Sequence, residues 1–218
     1  MRTRITTAPA TLPVAWEDVK QHLRLEDMLA DEEPAVEQFV MDTYVAGATR
    51  TATGITRHAL ITTQYETVAV PEELTQHHGY AALVLPWPDL QSIESVTYDG
   101  AALAQGTDYQ LLTYADGTTP VQPGTLLFPR ALFGWAMCRC GWGCDGSYDT
   151  TEHVVRVEYT AGYGDTPTDV PGDIRSWILM RVGALYTNRE EVTNKLGGVD
   201  SLPFTDSLLT QERDFEFS

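Results

Sequence analysis

Lysine is almost absent from this chain, which contains only Lys20 and Lys195. Lysine and arginine together number 14 against 31 aspartates and glutamates, so the formal net charge at pH 7 is −17. Binding to the phosphate backbone of nucleic acids depends on basic side chains that displace counterions. The composition therefore argues against a protein that wraps nucleic acid.

Long apolar runs are also missing. No stretch approaches the ~20 consecutive apolar residues of a membrane-spanning helix. Residues 1–7 lack the apolar core of a signal peptide. We therefore expect a soluble protein that is made in the cytoplasm and has no membrane partner.

Recognisable catalytic patterns are lacking as well. The sequence contains no G-x-S-x-G nucleophile turn, no Walker-type phosphate loop and no H-E-x-x-H zinc motif. Carboxylates are plentiful, but a paired acid and base must face each other across a cleft, which sequence alone does not establish. The sequence thus predicts no enzymatic activity and no cofactor.

Cysteine is scarce, with Cys138, Cys140 and Cys144 as the whole set. An odd number in a cytoplasmic protein argues against a disulfide framework. The spacing Cys-x-Cys-x3-Cys differs from the paired Cys-x2-Cys of common zinc sites, although His153 could supply a fourth ligand. We expect a loop with reduced thiols, and metal binding by the Cys138–Cys144 loop stays an alternative.

Three segments have helical periodicity. The first covers residues 13–23, and the second runs from Glu33 or Pro34 to near Ala52, with Gly54 as its expected end. The third, from about Ile174 to Arg189, has apolar residues in steps of three and four. These steps predict helices that each bury one face.

The middle of the chain changes to a strand pattern. Asp99-Gly100 between two apolar runs indicates a hairpin. Short β-branched or aromatic runs, separated by Pro, Gly and Asp, predict strands. These runs cover residues 60–70, 81–85, 91–98, 109–113, 125–128 and 154–159.

Three motifs follow one another in a distinctive order. The first is PVAWEDVKQHLRL at residues 13–25, and the second is LVLPWP at 83–88, leading into IESVTYDG at 93–100. The third joins YTAGY at 159–163, VPGDI at 170–174 and Leu185-Tyr186. Over roughly residues 12–192 this order resembles the adaptor, or head-completion, proteins of tailed bacteriophages, the connector family between portal and tail. One departure is Ala15, where the family has a Ser or Thr cap.

The fold expected on this basis is α+β, a small helical bundle with an inserted β-sandwich-like module and an extended C-terminal arm. We expect an N-terminal arm at residues 1–12 and a helical connector domain at 13–58 and 168–192. The β-rich module would cover residues 59–167, and a docking arm residues 193–218.

The resemblance implies a structural protein of the virion neck, assembled in the host cytoplasm and without turnover. About twelve copies would form a ring under the portal protein, extend the DNA channel and face a tail-side stopper or tail terminator protein. An acidic lumen would repel the DNA backbone and let it pass without sequence-specific binding, whereas acidity that serves only solubility is the alternative. A tail or baseplate binding module that uses the aromatic-rich β-domain also stays open.

A cyclic interface joins two different patches of each copy. The candidate patches are the outer side of the helix Ile174–Arg189 and the helix around Val36–Ala48. The segment Leu208–Phe217, after the Gly197-Gly198 break, is the expected portal-facing contact, and packing back onto its own domain is the alternative. The candidate interface residues are Leu208, Leu209, Arg213, Phe215, Phe217, Trp177, Arg181 and Phe39.

Overall fold

The computed structural model describes residues 1–25, 31–114, 122–137, 153–187 and Leu209. The chain divides into two units. A strand unit comprises residues 1–8 and 62–162, and a helical unit comprises residues 9–61 and 163–218. The mixture of helices and antiparallel sheets confirms the predicted α+β class.

The first helix of the helical unit, α1, spans Trp16–Leu23. It has no side-chain N-cap, because Ala15 precedes it in an extended conformation. Acidic residues in its first turn complement the positive end of the helix dipole instead. The helix ends where Arg24 adopts the left-handed conformation, with φ of 57°. The predicted segment 13–23 contains this helix but begins before it.

One continuous helical run follows. It consists of α2 (Glu33–Phe39), a π-helical segment (Val40–Val45) and α3 (Ala46–Thr56). Gly54, predicted to end this helix, lies inside it. The run ends instead because Arg57 takes the left-handed conformation, with φ of 61°.

The last described helix, α4, spans Gly172–Thr187. It begins two residues before the predicted Ile174, and the residues after Thr187 lie outside the described part of the chain. Its buried residues are Ile174, Trp177, Ile178 and Val182, and this spacing of three and four matches the face predicted from sequence.

The core of the helical unit combines one face of each helix with the segments that lead into them. At Gly183 the helices α1 and α4 come so close that a β-carbon would lie 3.1 Å from Nε2 of His22. The buried members of this core are Val14, Trp16, Val19, Val40, Val45, Ala48, Ala52, Leu60, Ile61, Val170, Ile174, Trp177, Ile178, Val182 and Leu209.

The described part of the strand unit forms two antiparallel sheets. The first sheet has the order β1-β2-β9-β5-β6 and the second the order β3-β4-β8-β7. In chain order the strands are β1 (Arg2–Thr7), β2 (Thr63–Ala69), β3 (Thr75–His77), β4 (Tyr80–Val84), β5 (Leu90–Tyr98), β6 (Ala101–Ala102), β7 (Gln110–Leu111), β8 (Thr125–Pro129) and β9 (Val155–Ala161).

The two sheets share an aromatic core. The ring centroid of Phe133 lies 5.2 Å from that of Tyr98 in β5 and 5.6 Å from that of Phe128 in β8. The predicted hairpin is confirmed, since Asp99 and Gly100 have positive φ of 49° and 78° between β5 and β6.

The N-terminal residues differ from the expected arm. Arg2–Thr7 form β1, which pairs with β2 from Arg2 opposite Val68 to Thr7 opposite Gln64. Five of the six residues of β1 are exposed. The strand was missed because no alternation of apolar and polar residues marks it in the sequence.

Candidate assembly surface

The helical unit carries an apolar groove of about 330 Å³. Phe39 is 56% exposed, the highest value among the large apolar side chains in the described residues. Contiguous apolar surface of this kind marks contacts with other molecules more often than isolated exposed side chains do. The groove is lined by Ala35, Val36, Phe39, Val40, Tyr44 and Tyr186.

Three aromatic rings form one wall of the groove. The ring of Phe39 meets that of Tyr44 edge to face, with centroids 5.4 Å apart and planes at 82°. Tyr44 in turn meets Tyr186 of α4 at 6.5 Å and 89°. Edge-to-face contact suits the quadrupoles of aromatic rings, so the wall is held in one arrangement before any partner arrives.

The π-helical segment explains how the helix presents this wall. A π-helix adds a residue per turn and shifts the register of the side chains that follow. Here Val40 and Val45, five positions apart, are both buried in the core. Tyr44 lines the groove beside Val40, while the buried face continues at Val45. Such π-bulges are frequent at functional sites.

The rim of the groove is acidic. Residues three or four apart share one side of a helix, which places Glu32 beside Ala35 and Val36. The side chain of Glu32 belongs to an exposed residue. A partner that fills the groove therefore meets apolar walls and negative charge at one edge.

One carboxylate ties the start of α2 to α1. Lys20 Nζ donates to Glu33 Oε1 at 2.6 Å, and Trp16 Nε1 donates to the same oxygen at 3.1 Å. The hydrogen bond from Lys20, followed by that from Trp16, holds the pKa of Glu33 below its usual 4.5. The groove is thus built on a helix that a charged contact fixes at neutral pH.

A second surface lies on one face of the first sheet. The register places Arg2, Val68 and Arg156 in one cross-strand row and Arg4, Glu66 and Glu158 in the next. Both Arg4 and Arg156 donate to the carboxylate of Glu66. The Glu66 side chain is only 3% exposed, whereas those of Arg4 and Arg156 are 72% and 43% exposed. This face presents arginines in a protein with few basic residues.

The predicted interface residues fall into three groups. Phe39 lies in the groove and Arg181 is an exposed residue of α4. Trp177 and Leu209 are instead core residues of the helical unit, because both side chains contribute to its apolar cluster and neither presents a free surface. The remaining four, Leu208, Arg213, Phe215 and Phe217, lie outside the described residues.

Both predicted helices contribute side chains to one groove. Tyr186 of α4 lines the same groove as Val36 and Phe39 of α2. We missed this convergence because the two segments are distant in sequence and only the fold brings them together. The arginine face was missed for a related reason, since it depends on the register of an unpredicted strand.

The cysteine cluster lies outside the described residues, so the structure gives no account of it. His153, the suggested fourth ligand, is described and lies with Nδ1 2.8 Å from Oδ2 of Asp99. Among the described residues no group of three or more His, Cys, Asp or Glu side chains converges as a metal site would. Nor does any helix in this part of the chain have the length and apolar character to cross a membrane.

No family model and no curated protein matches this chain. Solved structures with a similar fold do exist. One is a chain of the neck of an empty gene transfer agent particle computed with C6 symmetry, with a TM-score of 0.68 and 19% identity. Another belongs to the neck of the native particle computed with C12 symmetry, with a TM-score of 0.63 and 18% identity.

A third similar chain comes from the virion of the native gene transfer agent particle, with a TM-score of 0.65 and 18% identity. Each alignment covers 100% of this chain and 98% of the other. At such low identity the likeness concerns the fold. The fold expected from the resemblance is confirmed at that level.

Proposed function

We propose that this chain is an adaptor of the particle neck, a structural protein that joins the capsid to the tail. The observation that carries the proposal is the agreement of the whole fold with chains from particle necks, over 98% of their length. A match confined to the helices would suit many proteins, but here the inserted sheets match as well. The role is one of assembly, without catalytic turnover.

The adaptor acts as a ring of about twelve copies under the portal protein. Support comes from the C6 and C12 symmetry with which the similar necks were computed. A closed ring uses two different patches of each copy. The groove at Phe39 is one such patch, and the exposed Arg181 of α4 belongs to the second candidate patch.

The ring extends the channel through which DNA passes. The net charge of −17 supplies negative surface for its lumen. Like charges repel the duplex backbone, so DNA slides past without being gripped. The partners are the portal protein on one side and a tail-side stopper or tail terminator protein on the other, and the chain resides in the virion neck after assembly in the host cytoplasm.

The C-terminal segment contributes a contact of its own. Leu209 is anchored in the core of the helical unit, and Arg213, Phe215 and Phe217 follow it in the sequence. Deletion of residues 211–218 therefore keeps the anchor and removes these three side chains. We expect that deletion to spare folding and to reduce incorporation into particles.

Native mass spectrometry of the purified chain, alone and mixed with the portal protein encoded beside it, tests the function. The expected result is a ring of about twelve copies on the portal. Failure to bind the portal under any condition, together with absence from purified necks, would contradict the adaptor role. Metal content measured on the same samples tests the alternative at Cys138–Cys144.

A further inference from the structure

Strand β1 is an edge of the first sheet. In the described part of the chain it pairs with β2 and with no other strand. Alternate residues of an edge strand direct their N–H and C=O groups away from the sheet. Such an edge is a template for one more strand.

The two faces of β1 differ in chemistry. Arg2 and Arg4, two positions apart, lie on the arginine face described above. Thr3 and Ile5 lie on the opposite face, and Ile5 is 55% exposed. An added strand that complements this edge needs acidic residues at alternate positions and apolar residues between them.

The C-terminal sequence has this alternation. Asp214 and Glu216 are two positions apart, and Phe215 and Phe217 occupy the positions between and after them. If the segment is extended, its two carboxylates lie on one side and its two aromatic rings on the other. A shift of the pairing by one residue would move the carboxylates to the side of the aromatic rings and the rings to the side of the carboxylates. Only registers that place the carboxylates on the arginine face therefore fit this edge.

We propose that residues 213–217 of a neighbouring copy add to the outer edge of β1, as a sixth strand of the first sheet. Asp214 and Glu216 face Arg2 and Arg4, and the phenylalanines lie on the side of Ile5. The proposal rests on the ring function, which brings identical copies side by side. Each copy then offers one donor segment and one acceptor edge, the two different patches that a closed ring requires.

Charge distinguishes this acceptor from the groove. Exposed Glu32 lies one helical turn before Ala35 and Val36 of the groove, so a segment with Asp214 and Glu216 is repelled there. At β1 the same carboxylates meet arginines. Leu209 fixes where the segment starts, and the eight residues from 210 to 217 span at most roughly 26–29 Å when extended, which limits how far from Leu209 the acceptor edge lies.

A labelled peptide tests the acceptor edge directly. The host is the full chain carrying Asp214→Ser and Glu216→Ser, so that its own segment complements neither an arginine edge nor a glutamate edge. A fluorescent peptide with the sequence of residues 210–218 is titrated and binding is followed by anisotropy. We expect binding that weakens more than about tenfold when Arg2→Glu and Arg4→Glu are added.

Charge exchange supplies the rescue. A peptide with Asp214→Arg and Glu216→Arg should bind the full chain that carries Arg2→Glu and Arg4→Glu. Since Arg4 contacts Glu66, the variant Ile5→Lys serves as a second probe that leaves this ion pair intact and still obstructs an added strand. Arg50→Glu, at an exposed position of α3, is the matched control and should leave peptide binding unchanged.

Other outcomes overturn the proposal. Peptide binding that ignores the arginines, or that is lost on Phe39→Ala, would place the segment in the groove. Retention of the segment by portal protein alone would assign it to the portal. A wild-type chain that never associates with another copy, even on the portal, would assign the pairing to a single chain. None of these outcomes decides the adaptor function. That function is tested separately, by binding to the portal protein and by the presence of the chain in purified necks.

Discussion

The ring of Tyr44 stands edge-on to the ring of Tyr186, with centroids 6.5 Å apart and planes at 89°. Tyr44 belongs to the π-helical segment and Tyr186 to α4, so this contact joins two helices along one wall of the groove. Phe39 completes the row but remains largely exposed. Two rings are thus held by the fold, and the third is available to another molecule.

Replacement of Phe39 by alanine should weaken assembly more than folding. The exposed side chain contributes little to the unfolding free energy, so we expect a change within about 0.5 kcal/mol. At an interface an aromatic anchor is worth more than about 1 kcal/mol, which corresponds to at least about fivefold in affinity. Native mass spectrometry of portal-bound rings and a urea titration measure the two effects on the same variant.

Val84→Ala is the matched control, because Val84 is an exposed apolar residue of β4 and lies in the strand unit. It should change neither quantity. If Phe39→Ala assembled as well as the wild type, the groove would lose its place as an assembly surface.

Leu209 connects the C-terminal region to the core of the helical unit, where it is fully buried. Removal of a buried leucine side chain leaves a cavity as well as losing apolar burial, so Leu209→Ala should reduce the unfolding free energy by about 2–5 kcal/mol. Urea unfolding monitored by far-ultraviolet circular dichroism measures this change. Deletion after Asp206 should cost at least as much, because the whole side chain is removed.

Deletion after Thr210 is the control for Leu209→Ala and for the deletion after Asp206. It retains Leu209 and should have the stability of the complete chain. Equal stability of both deletions would mean that Leu209 contributes nothing to the core.

Much of the helical unit could be predicted because its periodicity is strong. Ile174, Trp177 and Ile178 lie on the buried face of α4, as their spacing indicates. The same residues show where prediction stopped. Trp177 was named both on this apolar face and as a candidate interface residue, and its side chain lies in the core, where a large apolar residue on a regular helical face usually belongs.

Other features depend on information that the local sequence does not carry. The step from Val40 to Val45 is five residues, which breaks the helical period and hides the π-helical segment. Strand β1 has no apolar alternation, and its pairing partner β2 lies far along the chain. The groove and the arginine face both result from such long-range pairing, so neither could be derived from spacing alone.

Glu66 gives the third prediction, because it is a nearly buried carboxylate on the outer face of a sheet. Arg4 and Arg156 cover it and each donates to one of its oxygens. Glu66→Gln keeps the shape and removes the charge, and we expect a loss of about 1–3 kcal/mol in unfolding free energy. A double-mutant cycle with Arg156→Gln should give a coupling energy of about 0.5–3 kcal/mol.

Glu158→Gln is the comparison, since Glu158 is directly opposite Glu66 in the register but is only half-buried and accepts from Ser95. Its effect should be the smaller of the two. A zero coupling energy between Glu66 and Arg156 would show that solvent screens this ion pair completely.

Acid sensitivity of the helical unit provides the last prediction. Hydrogen bonds from Lys20 and Trp16 lower the pKa of Glu33 below 4.5 in the folded protein. Asp169 behaves alike, since hydrogen bonds from the backbone and side chain of Thr166 lower its pKa below 3.8. A carboxylate with a lowered folded pKa stabilises the fold above its unfolded pKa and loses that contribution as the pH falls through the folded value.

The contribution of these two groups to the unfolding free energy should therefore be constant near neutral pH. It should decline as the pH drops below about 4.5. Glu33→Gln removes one titrating group. The unfolding midpoint of this variant in urea should therefore fall less steeply than that of the wild type between about pH 5 and about pH 3.

Lys20→Met retains the carboxylate of Glu33 but removes its first hydrogen-bond donor. The pKa of Glu33, measured by nuclear magnetic resonance titration, should then rise toward its usual value. Because this contact fixes the start of α2, the groove should weaken over the same pH range. Portal-bound rings of the wild type should therefore lose stability more steeply on acidification than those of Glu33→Gln, which are weaker already at neutral pH. Identical pH dependence of the two chains would show that the contact between Glu33 and Lys20 is fully screened by solvent.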